Sequence, residues 1–231
     1  MSSSLDPHLA FSTSRLNSLR AAVLGANDGI ISLSGLVIGV AGATDSRTVL
    51  LAAGVAGLLA GAFSMAAGEF ISVSTQRDTE RAMLAIEKRE LRENPEAEML
   101  ELVEIYRRKG LTLELAEKVA KELSAKDAFA AHVDAELHID PNELTNPWQA
   151  AFASAAAFVA GALLPLGSII LAPAGFKVPV TFGTVVVALF ITGVASAKVT
   201  RTPQVQAVVR VVCGGILAMA VTYGIGLLFR V

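Results

Sequence analysis

Charge is scarce in this chain: 17 % of its 231 residues are Asp, Glu, Lys or Arg, against 53 % hydrophobic. With a mean hydropathy of +0.58, it is too apolar for an ordinary soluble domain of this length. A single cysteine, Cys213, excludes an intrachain disulfide framework. Its place inside an apolar run predicts a small packing residue rather than a reactive thiol. No basic tract stands out and the formal net charge is −2, so the electrostatic footprint of a nucleic-acid binder is missing. Histidine is equally sparse, at three. Neither His132 nor His138 has a glutamate three residues before it, so the paired Glu-x-x-His motifs of a carboxylate di-iron enzyme are absent. Residues 1–14 lack a basic stretch followed by an apolar core, and no cleavable signal peptide is expected.

What the chain does have is long apolar segments. RAAVLGANDGIISLSGLVIGVAGA, residues 20–43, carries one ionisable residue inside its ends, Asp28. At a rise of about 1.5 Å per residue, Asp28 lies about 12 Å from Arg20, within hydrocarbon if the segment spans a membrane. A carboxylate there costs roughly 2.5–3.5 kcal/mol on insertion scales, so it is expected to face a protein interior or an ion pathway. That points to transport. Gly25 with Gly29, and Gly35 with Gly39, offer the four-residue spacing of small residues that admits a close neighbouring helix.

Further spans are expected over about 48–73, 149–171 (with Pro165 as a kink or break), 180–197 and 205–229. Trp148 belongs at the membrane interface, and Arg210 snorkels near the start of the last span. Between spans two and three the character changes: 17 of the 21 acidic residues fall between Gln76 and Asn146. The fold class expected is therefore an all-α integral membrane protein with five transmembrane helices and a cytoplasmic helical insert between helices two and three. Its parts are an N-terminal tail (1–19), transmembrane helices one and two (20–75), the insert (76–146) and transmembrane helices three to five (147–231). In the insert, one helix continues from span two to about Arg92. A second opens at Asn94-Pro95 and ends before Gly110, a third runs from Thr112 to about Leu123, and a fourth is capped by Ser124 and stopped by Asp140-Pro141-Asn142. Arg15, Arg20, Lys198 and Arg201 favour a cytoplasmic N-terminus and insert, with the C-terminus opposite.

Within the insert Glu87 and Glu90, and likewise Glu98 and Glu101, are spaced i, i+3, while His132 and Glu136 are i, i+4. Each pair shares one helix face, as does Met65 with Glu69 in span two. Carboxylates and an imidazole on facing helices suit Fe2+, Mn2+ or Zn2+. Glutamates at this spacing are also what any solvated helix carries, and Met65 alone reads equally as a gap-filler. A membrane-anchored protein that stores or senses metal with the insert is the alternative to a transporter. Asp28 argues against it, because an anchor has no use for a carboxylate in hydrocarbon.

NDGIIS (27–32), SMAAGEFISVSTQRD (64–78), EKRE with its following acidic helix (87–101), IYRRKGL (105–111) and NPWQAAFASAAAFVAGALLPL (146–166) together resemble the vacuolar iron transporter family of Fe2+/Mn2+ carriers, in order along nearly the whole chain. The resemblance implies a homodimer in a lipid bilayer whose path lies between the first two spans of each copy. It also implies proton-coupled export of ferrous iron from the cytoplasm, with metal as substrate and no prosthetic group. By motif it assigns Asp28, Met65 and Glu69 to the path, and Glu87, Glu90, Glu98, Glu101 and Glu136 to the insert's metal site. His132 departs from a family methionine, replacing a thioether by a harder, proton-sensitive ligand. The short tail favours a bacterial plasma membrane over a vacuole-type one.

Overall fold

A computed structural model describes residues 13–141, 144–200 and 202–230. Most of the expected N-terminal tail, Asn142 of the expected helix stop and Arg201 lie outside the described residues, as does the side chain of Arg15. Among the described residues the secondary structure is entirely helical: α1 (Thr13–Ala43), α2 (Arg47–Glu93), α3 (Pro95–Arg108), α4 (Leu113–His132) continued by a π-turn (Val133–Leu137), α5 (Pro147–Leu171), α6 (Lys177–Thr200) and α7 (Gln204–Leu228). The chain divides into two compact units, one of Arg15–Ile71 with Pro147–Val231, the other built on Ser72–Asn146.

The first unit holds the apolar helices. α1, α2, α5, α6 and α7 are each long and apolar enough to cross a membrane. α5 continues through Pro165, the break expected there being absent. α1 sits at the centre. One of its faces sends Leu33 and Val37 into a core with Leu50 of α2 and Phe158, Ala162, Leu166 and Ile169 of α5. Another sends Ile30 and Ile38 against Val185 and Leu189 of α6 and Met219 of α7.

A helix packed on several sides needs backbones to approach closely, and glycine supplies that. A Cβ at Gly29 would fall on the Phe158 carbonyl of α5, and one at Gly161 on the Ala26 carbonyl of α1. The four-residue glycine spacing thus meets α5 at Gly25 and Gly29 and α7 at Gly39. Because the blocking atoms are backbone and cannot rotate away, Gly29→Ala is expected to destabilise the bundle by about 1–3 kcal/mol or more. Thermal unfolding of the purified protein in detergent measures this, and an unchanged midpoint would refute the close contact.

α2 is the least buried of the five apolar helices. Leu51, Val55, Leu59 and Phe63 form an exposed ridge at i, i+4 spacing along it. Cys213 is exposed on α7, which corrects the packing role expected for it: the apolar run around it is apolar on its outer face as well. Trp148 stands between Phe70, at 4.6 Å between ring centroids, and Phe152, at 6.1 Å.

The second unit is a set of short helices stopped by local chemistry. Pro95 opens α3, Glu96 and Glu98 lie in its first turn, and Arg107 and Arg108 in its last, as the helix dipole favours. Asn94 makes no side-chain cap bond; its carbonyl accepts from Ala97 and Glu98 instead. Gly110, at φ 102°, takes the left-handed turn after α3, and Thr112 Oγ1 accepts the Leu115 amide to start α4. The cap expected at Ser124 lies three residues later. Asp127 leaves helical geometry (φ −163°, ψ 100°) and its carboxylate accepts the Ala130 amide at 3.0 Å, a stronger acceptor than a hydroxyl. Leu102 and Val103 of α3, Ala116, Ala120 and Ala131 of α4 and Ala135 of the π-turn close a small core.

Candidate transport path and metal cluster

Two groupings of polar side chains stand out, each within its own unit. In the apolar bundle, Asp28, Ser32, Leu33 and Leu36 of α1, Gly57, Gly61, Ser64 and Met65 of α2, and Phe158 of α5 line a cavity of about 280 Å³. Asp28 and Met65, 37 positions apart in sequence, thus face one space. Ser32, one turn after Asp28, donates its hydroxyl to Asp28 Oδ1 at 2.7 Å. That bond takes one lone pair of the carboxylate and leaves the others open to a cation or a proton. Gly57 and Gly61 keep the α2 side of the cavity free of side-chain bulk; a Cβ at Gly61 would strike the Phe158 ring.

Glu69 does not line this cavity. It lies one turn further along α2 than Met65, buried, and pairs with Arg20 of α1, Arg20 Nη2 to Glu69 Oε1 at 3.2 Å. Sequence reading placed Glu69 near the path without its partner. Ser32, Ser64 and Phe158 also escaped it. The i, i+4 spacing of Asp28 and Ser32 was the available signal, whereas Arg20 and Glu69 are separated by 49 positions, beyond the reach of any local pattern.

In the second unit the structure selects among the candidate ligands. Glu87 near the end of α2, Glu98 in the first turn of α3 and His132 at the end of α4 are all buried, and each offers a donor atom within 4.8 Å of the others. His132 Nδ1 lies 3.1 Å from Glu87 Oε1 and 3.7 Å from Glu98 Oε2. Yet neither His132 Nδ1 nor Glu87 Oε1 has a hydrogen-bond partner. Buried donors and acceptors are ordinarily paired. Two such atoms about 3 Å apart are instead spaced as ligands that share one ion at about 2.0–2.2 Å.

Glu90 is half-buried, and Glu101 and Glu136 are exposed; they surround the trio without joining it. Burial, reinforced by Glu136, Glu98, Glu90 and Glu101, pushes the Glu87 carboxyl up to about 7. Burial followed by Glu101 and Glu90 raises Glu98. Glu136 is raised by desolvation of its carboxyl and then by Glu101, while a hydrogen bond with Glu87 acts the other way. Burial lowers His132, outweighing the opposite pull of Glu101, so the ring is held neutral and available as a ligand. An acidic cluster this dense strains without a cation to neutralise it. The π-turn that carries Glu136 is held to α3 by Lys109, just past the helix end, whose ammonium donates to the Ala135 carbonyl at 3.2 Å. π-turns of this kind recur at functional sites.

Comparison with known proteins shows the family to which the chain belongs. The model of the VIT family matches residues 19–227. The "Vacuolar iron transporter" of Acanthamoeba castellanii is 38 % identical over 211 residues, covering 91 % of this chain and 78 % of that protein. "Vacuolar iron transporter homolog 2.1" of Arabidopsis thaliana is 36 % identical over 208 residues, 90 % of this chain and 79 % of its own length. In rice, "Vacuolar iron transporter homolog 1" is 38 % identical over 213 residues, with 91 % and 73 % coverage. The VIT family is one of transporters, not of enzymes. With five apolar helices of spanning length and a match over nearly its whole extent, this chain is an integral membrane protein and belongs to the VIT family.

Proposed function

We propose that this protein carries ferrous iron, and Mn2+ as well, out of the cytoplasm in exchange for protons. The observation that carries the reading is the meeting of Asp28 and Met65 at one cavity within an otherwise apolar bundle. Asp28 supplies charge to a divalent cation when ionised and takes a proton when it is not. Met65 adds a soft contact that Fe2+ rewards and Mg2+ or Ca2+ does not. The 76–146 insert lies in the cytoplasm and collects metal at Glu87, Glu98 and His132, with Glu90, Glu101 and Glu136 around them. The same N and O donors accept Mn2+ and Zn2+. Orientation with the N-terminus and insert inside follows from the cations Arg15, Arg20, Lys198 and Arg201. A bacterial plasma membrane is the host proposed.

The working unit is a homodimer. Asp28 is half-buried, and Ser32 and Ser64 at the same cavity are exposed on helices otherwise made for lipid. Against hydrocarbon, such groups are costly. A second copy set against α1 and the uncovered ridge of α2 encloses them and doubles the carboxylate and thioether available to one ion.

The test is Fe2+ and Mn2+ flux into liposomes bearing the purified protein, with an imposed pH gradient and a lumenal pH dye. Metal entry accompanied by proton movement in the opposite direction is expected. Absence of flux at any gradient, with metal still bound by the protein, would instead favour storage or sensing by the insert.

A further inference from the structure

The Arg20–Glu69 ion pair has no role in the mechanism above, and its placement is unusual. Glu69 keeps 10 % of its side chain exposed, and the guanidinium 3.2 Å away is its partner. The carboxylate lies four residues from Met65 on α2, about 6 Å along the helix, while Arg20 sits on α1, the helix that carries Asp28. Both helices of the Asp28–Met65 cavity therefore contribute to the pair. A buried carboxylate needs a counter-charge, and here it has a monovalent one, carried on a flexible side chain that is 61 % exposed. A guanidinium in that position does what a bound ion would do, without being able to leave.

We propose that Arg20 is a tethered cation that occupies Glu69 in the metal-free protein and must be displaced by an entering divalent ion, which makes it a specificity-determining residue for transport. A monovalent ion brings no more charge to Glu69 than the guanidinium already does, and it forfeits the tether's high local concentration. A divalent ion brings twice the charge and releases the guanidinium to water. The pair thus screens cations by charge one turn before the Asp28–Met65 cavity screens them by softness. It also spares Glu69 a naked buried charge after each ion has moved on. This inference rests on the transport reading proposed above.

The experiment is initial-rate Fe2+ flux in proteoliposomes for wild type, Arg20→Gln, Arg20→Lys, Glu69→Gln and the Arg20→Gln/Glu69→Gln double variant, each first checked as monodisperse in detergent. Removing the competitor is expected to lower KM for Fe2+ in Arg20→Gln by about threefold or more, the range of coupling seen between directly contacting groups. The same variant is expected to become inhibitable by K+ at concentrations that leave wild type unaffected. Arg20→Lys, which keeps the charge, holds KM within about twofold. In the Glu69→Gln background, Arg20→Gln is expected to have no further effect on KM. An unchanged or raised KM in Arg20→Gln, or an equal drop with Glu69 already neutral, would overturn the proposal while wild-type flux leaves the transport reading standing. No flux in wild type would take both down.

Discussion

Asp28→Asn is expected to abolish coupled Fe2+ flux while leaving the protein folded. The substitution is nearly isosteric, and the amide oxygen can still accept the Ser32 hydroxyl that now reaches Asp28 Oδ1 at 2.7 Å, so the packing of α1 is unperturbed. What is lost is the negative charge and with it the one proton-binding group of the cavity, whose other lining residues are Ser, Gly, Leu, Met and Phe. Changes one shell removed from a metal cost about 10–100-fold in affinity or activity. Loss of the charged ligand itself is expected to cost more than about 100-fold in rate. The measurement is the liposome assay with the pH dye, run on both proteins at matched protein content. Wild-type rates in the variant would remove Asp28 from the mechanism. Loss of metal movement together with loss of proton movement would place both on the same carboxylate.

The second large effect is expected at Glu87. Its carboxyl is pushed up to about 7 by burial and by the surrounding glutamates, and it must be ionised to bind metal. Affinity of the insert for Fe2+ or Mn2+ is therefore expected to rise as pH goes from 6 to 8, by up to about tenfold per unit below 7 for each proton displaced, and to flatten above. Without metal the sign reverses. A carboxyl whose folded pKa lies above its ordinary 4.5 favours the fold while protonated, and that contribution is lost as pH rises through about 7. Its full size is on the order of 3 kcal/mol. Thermal melts of the full-length protein with a chelator should therefore fall as pH rises from the ordinary 4.5 to about 7 and level off above it, and melts with saturating Mn2+ should not fall. Glu87→Gln is expected to weaken metal binding by about 100-fold and to flatten the chelator melts. Chelator melts already flat in wild type would show that Glu87 does not titrate in this range.

Much of the architecture was legible because membrane insertion is governed by local composition. Five apolar stretches, the tight turn at Thr44–Ser46 and the concentration of acid between Gln76 and Asn146 are each visible without knowing what packs on what. The α3 boundaries were similarly accessible, since Pro95 and Gly110 act on their own backbone. Capping of the second half of α4 was less so: Ser124 and Asp127 are both acceptable caps, and only the extended backbone at Asp127 decides between them. Cys213 shows the limit of reading apolarity as burial, because in a membrane helix the apolar face can be the outer one.

Sequence by itself determined the membrane class, the number of apolar helices and the presence of Asp28 within an apolar segment, and it offered a set of candidate metal ligands. Tertiary structure alone decided which of those residues meet. Helical periodicity states which side chains share a face of one helix, so Glu87 with Glu90 and Glu98 with Glu101 looked equivalent. Packing of α3 against α4 through Leu102, Ala116, Ala120 and Ala131 accompanies a buried Glu98 beside His132 and an exposed Glu101, and on α2 Glu87 is buried while Glu90 is half-buried. The same holds for Arg20 and Glu69, whose contact depends on how α1 lies against α2. Contacts between helices depend on the shapes of surfaces far apart in sequence, and a one-dimensional pattern of charge and apolarity carries no record of which surfaces fit.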